Sequence, residues 1–207
     1  LNEEEEMTAT YEHATLIPAS GSLWEEATRA RFLTMVGEGT LPEEAFHRWL
    51  VQDYLFATGL AVFQAVTTAR TPRPSQKLLI LGLSALDSEL DWFEDLAAQK
   101  NLDLKSPRHP VCSRYVDFLI ASAYSEPFEV LLAILYGVEV AYLAGWSALE
   151  KKGPYAEFIE RWSNPQFVDY VKGLSDLCTR HPHPGQQAGF DEVLRQEKDF
   201  WTMTTEG

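Results

Sequence analysis

Three carboxylates stand where a solvent-facing acid does not belong. Asp53 has Trp49 at i−4, Phe56 at i+3 and Leu60 at i+7, offsets that place it inside an apolar helical stripe. Glu139 and Glu129 are the only charged residues between Phe128 and Trp146, and Glu139 shares its face with Leu135, Tyr142 and Trp146. Glu197 has Phe190, Val193, Leu194 and Trp201 around it. A lone carboxylate on such a face is costly to ionise or keeps its proton. Each acid could instead pair with an Arg or Lys, or hydrogen-bond a neighbouring helix. Three of them on three apolar faces, each beside aromatic rings, favour a pocket in which carboxylates bind a polar heterocycle and aromatics clamp its ring. That chemistry is acid–base catalysis on a small aromatic molecule.

Other groupings carry less. Glu44-Ala-Phe-His47 is one ExxH pair, half of a di-iron carboxylate motif, and the chain has no second half. With five histidines, two of them (His181 and His183) in a proline-stiffened loop, no metal or other cofactor is expected. No glycine-rich phosphate loop and no GxSxG turn occurs. Cys112 and Cys178 fit no metal spacing and are expected as reduced thiols. Cys112 follows Pro110 near a helix start, where the dipole is expected to lower its pKa; Cys178 falls in the last turns of another helix.

The elements that must position these acids read as helices throughout. Residues 1–20 form an expected flexible acidic leader, and residues 21–207 one helical domain. Ser22-Leu-Trp-Glu25 reads as a capping box opening a helix to about Gly37–Gly39, and Thr40-Leu-Pro-Glu43 as a second one opening a helix to Arg70. A helix over Ser75–Asn101 carries Leu79, Leu83, Leu86, Leu90 and Phe93 at helical spacing. Pro110 leads into a helix through Tyr124, and Pro127 into an apolar one to about Lys152. Two shorter helices divide at Asn164-Pro165, and a terminal helix follows His181-Pro-His-Pro-Gly185. No period-2 strand and no repeat interrupts this pattern, so the fold class is all-α, a single bundle of eight or so helices with room for a ligand between them.

Charge narrows the partners. The 17 Lys and Arg against 31 Asp and Glu give a formal charge of −14, which disfavours nucleic acid and anionic membrane. No apolar run reaches the ~18 residues that cross a bilayer. Glu3 to Glu6 are the opposite of a basic signal-peptide start, so a cytoplasmic location is expected.

Gly39 to Phe56, GTLPEEAFHRWLVQDYLF, resembles the signature of the TenA (thiaminase II) family, and Glu197-Lys-Asp-Phe-Trp-Thr-Met203 resembles that family's terminal ExxFWxM. The match runs in order from about Leu23 to Met203. The resemblance implies a heme-oxygenase-like helical bundle, a homo-oligomer (dimer or tetramer), and hydrolysis of aminopyrimidines in salvage of thiamin breakdown products without metal or heme. The better-known branch has a nucleophilic Cys in the helix of Glu139; here Gly137 takes that register, within LYGVEVAY. The chain therefore resembles a Cys-less branch with a Glu nearby, and Glu160 to Phe167, ERWSNPQF, resembles that branch too. The implied reaction releases ammonia from 4-amino-5-aminomethyl-2-methylpyrimidine, or first deformylates its N-formyl derivative. By position, Asp53 would bind the pyrimidine nitrogen and amino group. Glu139 and Glu197 would share the acid, base or nucleophile roles, Tyr115 and Tyr142 would supply hydroxyls, and Phe56 and Trp162 would contact the ring. The alternatives are a pyrimidine-binding or interaction protein without turnover, and a di-iron oxidase on the same bundle.

Overall fold

The computed structural model describes residues 15–203. Ten helices follow one another: α1 Leu16–Ala19, α2 Ser22–Thr28, α3 Arg31–Glu38, α4 Glu43–Arg70, α5 Arg73–Lys100, α6 Pro110–Ser125, α7 Phe128–Ser147, α8 Ala156–Trp162, α9 Pro165–Arg180 and α10 Gln186–Thr202. There is no strand among the described residues, and the helices form one all-α domain.

The organising element is α7. Leu131, Leu135, Val140 and Leu143 are buried around its whole circumference, so a neighbour packs on every side: α10 and α9 most extensively, with α4, α2, α8 and α6 completing the ring. It is 20 residues long and an 18-residue stretch of it has a mean hydropathy of 1.7, enough by length and composition to cross a bilayer, contrary to the expectation that no run would reach that length. The helix is mostly buried inside the bundle, the setting of a core helix.

Several helix ends differ from the sequence reading. Ser22 is the first helical residue behind Gly21 (φ 56°), so its hydroxyl caps nothing. Thr40 serves the preceding helix instead of opening the next: the amides of Thr40 and Leu41 both donate to the Met35 carbonyl, after the chain turns at Gly39 (φ 68°), and α4 opens behind Pro42. The expected helix from Ser22 to Gly37 is two, broken at Ala30, whose backbone is extended. That break lets Ala27 and Phe32 both face the core. It docks on α7 at Gly145, where a Cβ would lie 2.8 Å from Leu33. Helix α7 stops at Ser147 instead of Lys152, and the turn beyond it lays Leu149 against Gly37 of α3. The end of the segment expected as a leader is part of the domain: Leu16 and Ile17 are helical and buried, and Ser20 donates to Asp191 of α10 at 2.6 Å. Residues 1–14 lie outside the described residues.

The two 28-residue helices α4 and α5 form an antiparallel hairpin around Thr71-Pro72. Proline cannot donate into the ladder, and it fixes the turn. Side-chain caps at His109 (Nδ1 accepts from the Val111 amide, 3.2 Å) and Asn164 (Oδ1 accepts from the Phe167 amide, 2.9 Å) set the starts of α6 and α9.

Candidate active site

Between α4, α5, α7, α8 and α9 lies a cavity of about 270 Å³. Asp53, Phe56, Glu139, Tyr142 and Trp162, five of the seven residues singled out in the sequence, line it. The remaining two, Tyr115 of α6 and Glu197 of α10, are not on its wall. They form a buried pair behind Phe56: the Tyr115 hydroxyl donates to Glu197 Oε1 at 2.7 Å, and the Phe56 and Tyr115 ring centroids are 4.6 Å apart.

Asp53 is 6 % exposed and accepts from the Tyr142 hydroxyl at 3.0 Å. Tyr142 is held in turn by stacking on Trp201 (5.7 Å) and edge contact with Trp162 (5.7 Å). Glu139 opens to the cavity, and Glu197 is 2 % exposed. No ion pair reaches any of the three acids among the described residues. Of the two alternatives, an Arg or Lys partner is not what the fold provides, but a hydrogen bond from a neighbouring helix is met for two of the three, with Tyr142 of α7 serving Asp53 and Tyr115 of α6 serving Glu197.

The electrostatic consequence is uniform. Burial pushes Asp53 up to about 8, opposed by the Tyr142 hydrogen bond and reinforced by the charge of Glu89. Burial, then Glu89, pushes Glu139 up to about 8. Burial pushes Glu197 up to about 8 as well, against the Tyr115 hydrogen bond and with the charges of Asp53 and Glu139 adding. Tyr115 and Tyr142 are driven well above the usual phenol range, first by burial and then by the acids they bond. At neutral pH this is a set of neutral carboxylic acids and phenols, able to donate as well as accept.

The sequence reading missed Glu89, which faces the same cavity from α5. It accepts Arg161 Nε and Nη2 in a forked pair (2.7–3.0 Å) and the Trp162 indole N–H at 2.8 Å. Arg161 also lies 3.9 Å over the Trp92 ring. A signal was present: the buried spacing Leu79, Gly82, Phe93 of α5, carried through Leu86, lands on Glu89.

The register given to Gly137 does not lie on the cavity: a Cβ there would lie 3.2 Å from Phe190 and Val193 of α10, and Val138, one position on, lines the wall. One expectation needs correction. Cys112 is not activated by its helix start: burial pushes the thiol up to about 12, and it donates to the Gln52 carbonyl at 3.6 Å. Cys178 is buried and is raised further. His47 lies beside Glu43, and no three His, Cys, Asp or Glu side chains converge as metal ligands among the described residues.

The TENA/THI-4/PQQC family model matches residues 18–207. The chain belongs to that family. A Glycine max relative named "Probable bifunctional TENA-E protein" is 24 % identical over 204 residues, covering 88 % of each chain. The solved structure of a TenA homologue from Pyrococcus furiosus superposes with a TM-score of 0.85 at 27 % identity, over 91 % of this chain and 97 % of that one. A TenA family transcription regulator from Silicibacter sp. TM1040 superposes with a TM-score of 0.88 at 20 % identity, over 97 % and 100 %, a likeness of fold. The TENA/THI-4/PQQC fold is thus this chain's fold.

Proposed function

We propose that this protein is an aminopyrimidine hydrolase acting on thiamin breakdown products. It would release ammonia from 4-amino-5-aminomethyl-2-methylpyrimidine or first remove the formyl group of the N-formyl derivative. The observation that carries this reading is the Asp53–Tyr142 pair beside Glu139 on one small cavity between Phe56 and Trp162. A 4-aminopyrimidine edge presents a ring-nitrogen acceptor beside an amino donor. A protonated Asp53 presents the complementary donor and acceptor, and its raised pKa keeps it in that form at neutral pH.

In the amine-releasing reaction the methylene C–N bond breaks and a C–O bond to water forms. Glu139 gives its proton to the departing nitrogen, and the water proton returns to the acid set as ammonia leaves. Glu197, one layer behind Phe56, acts through Tyr115 as the second proton-holding group. Deformylation asks the same of these residues, with water adding to the formyl carbon and formate leaving. The reading includes a homo-oligomer, supported by Ile80 and Leu81 standing half exposed or more on α5. It also includes a cytoplasmic setting for two free thiols. The formal net charge of −14 opposes nucleic-acid binding, and with it a reading of this chain as a transcription regulator, as the Silicibacter protein is named.

The test is mass-spectrometric assay of the aminomethyl pyrimidine, its N-formyl derivative and thiamin side by side, without added metal. Ammonia or formate release with much weaker thiamin cleavage is expected. Turnover lost to EDTA and restored by iron would overturn the hydrolase reading in favour of a di-iron oxidase. Binding of the hydroxymethyl pyrimidine with no turnover of any analogue would replace the enzyme with a binding protein.

A further inference from the structure

Four indoles pack into one buried cluster beside the cavity. The ring centroids of Trp49 and Trp146 are 5.7 Å apart, those of Trp49 and Trp201 5.5 Å, and those of Trp146 and Trp162 4.6 Å. Each of the four residues is 5 % exposed or less. The indole N–H groups of Trp49, Trp146 and Trp201 have no partner among the described residues, and the fold bears that cost three times. Trp162 is the exception. Its Nε1 donates to Glu89 Oε1 at 2.8 Å, and of the four it is the one that lines the cavity.

Ring packing alone does not choose between the two ways an indole can lie in such a cluster, because apolar contact is non-directional. A hydrogen bond to a fixed acceptor selects one of them. Glu89 is such an acceptor. Arg161 holds both of its oxygens in a fork (2.7–3.0 Å), and the guanidinium is itself backed by the Trp92 ring at 3.9 Å. Arg161 and Trp162 are successive residues at the end of α8, so one carboxylate of α5 ties down two side chains that leave the helix about 100° apart. The effect reaches past Trp162. Its ring makes edge contact with Tyr142 (5.7 Å, 75°), and the Tyr142 hydroxyl donates to Asp53. A line of contacts therefore runs from Glu89 through Trp162 and Tyr142 to the acid that would bind the pyrimidine edge.

We propose that Glu89 is a positioning residue: its carboxylate sets the orientation in which Trp162 clamps the pyrimidine ring, and with it the affinity of the cavity for that ring. This rests on the aminopyrimidine reading above. Arg161 acts at one remove, by holding the acceptor still.

Calorimetric binding of 4-amino-5-hydroxymethyl-2-methylpyrimidine to the full chain tests it, with two variants at Glu89. Oε1 accepts from both Trp162 Nε1 and Arg161 Nε, so the amide oxygen of Glu89→Gln serves both donors while Arg161 loses its charge partner. Glu89→Leu removes the acceptor as well. Both variants should lose stability in urea, but only Glu89→Leu should weaken the probe, by ~3–10-fold, the worth of one net hydrogen bond. Glu89→Gln should bind within about twofold of wild type. Trp162→Phe, which keeps a ring and has no N–H, should weaken the probe at least as much, and adding Glu89→Leu to it should change the affinity no further. The proposal is overturned if folded Glu89→Leu binds as the wild type does, if Glu89→Gln loses as much as Glu89→Leu, or if the two losses add in the double variant. Where Glu89→Leu does not fold, Trp162→Phe binding as tightly as the wild type overturns it. Each of these leaves the aminopyrimidine reading standing; a wild type that does not bind the probe overturns that reading and this proposal together.

Discussion

Carboxylates lie on two sides of this cavity, Glu89, Asp53 and Glu139 on its wall and Glu197 one layer behind Phe56, and the fold treats them in opposite ways. On the α5 side Glu89 is given a forked Arg161 partner and an indole N–H, and Arg161 is itself backed by Trp92. On the α4, α7 and α10 side Asp53, Glu139 and Glu197 are given phenols or nothing, and burial pushes each to about 8. One carboxylate is paired with a cation. Carboxyls meant to exchange protons near neutral pH are desolvated and left without one. The difference separates scaffold from chemistry across one cavity.

The largest break in that comparison comes from removing the proton carriers. Glu139→Gln and Glu197→Gln keep shape and should each lower kcat by ~10²–10⁴-fold in a steady-state ammonia-release assay. If both folded variants stay near the wild-type rate, the unpaired acids have no part in the chemistry. Asp53→Ala, which removes both the donor and the acceptor offered to the ring, should raise KM as well, by ~10-fold or more, because those hydrogen bonds are made to the ground-state ring.

Glu89→Gln should show the reverse pattern. It strands Arg161, two-thirds buried, beside the cavity, and should cost ~1–3 kcal/mol in denaturant unfolding, with a smaller effect on kcat than either Glu variant. A catalytic loss as large as that of Glu139→Gln, with stability unchanged, would erase the distinction between the two sides.

The same contrast has a pH signature. Glu197 binds its proton more tightly folded than unfolded, so between about pH 4 and 8 the native state holds more protons and stability falls as pH rises through that window. Glu197→Gln should therefore flatten the pH dependence and gain ~1–3 kcal/mol near pH 8 relative to pH 5, read from urea midpoints. The smallest effect is expected at the thiols. Neither faces the cavity, so Cys112→Ser with Cys178→Ser should leave turnover within about twofold of wild type once folded. A ~10³-fold loss would mean that a thiol nucleophile acts from an unexpected position.

Much of this was legible in the sequence because burying an acid breaks a helical pattern visibly. Asp53 and Glu139 stood out against Trp49, Phe56 and Tyr142, and the cavity assembles both acids with Phe56 and Tyr142. Glu89 did not stand out, because α5 is rich in acids and one inward-facing member looks like the others until its stripe is followed to Phe93. Its bond to Trp162 was hidden for a different reason. The two residues lie 73 positions apart, and no local period reports a contact of that range. The helix ends at Ser22 and Thr40 misled because a capping pattern is a local rule. Gly21 and the closure of α3 on Met35 overrode it. The layering of Glu197 behind Phe56 is likewise a property of packing, and spacing along α10 is silent on it.

The central claim is that these three acids hold their protons at neutral pH. Carbon-13 NMR titration of labelled Asp and Glu carboxyls reads this directly, with Asp53→Asn, Glu139→Gln and Glu197→Gln assigning the signals. The account predicts three carboxyl resonances that titrate near pH 8, each absent in its own variant and displaced in the others. All three titrating in the ordinary carboxylate range, about pH 4, would contradict it.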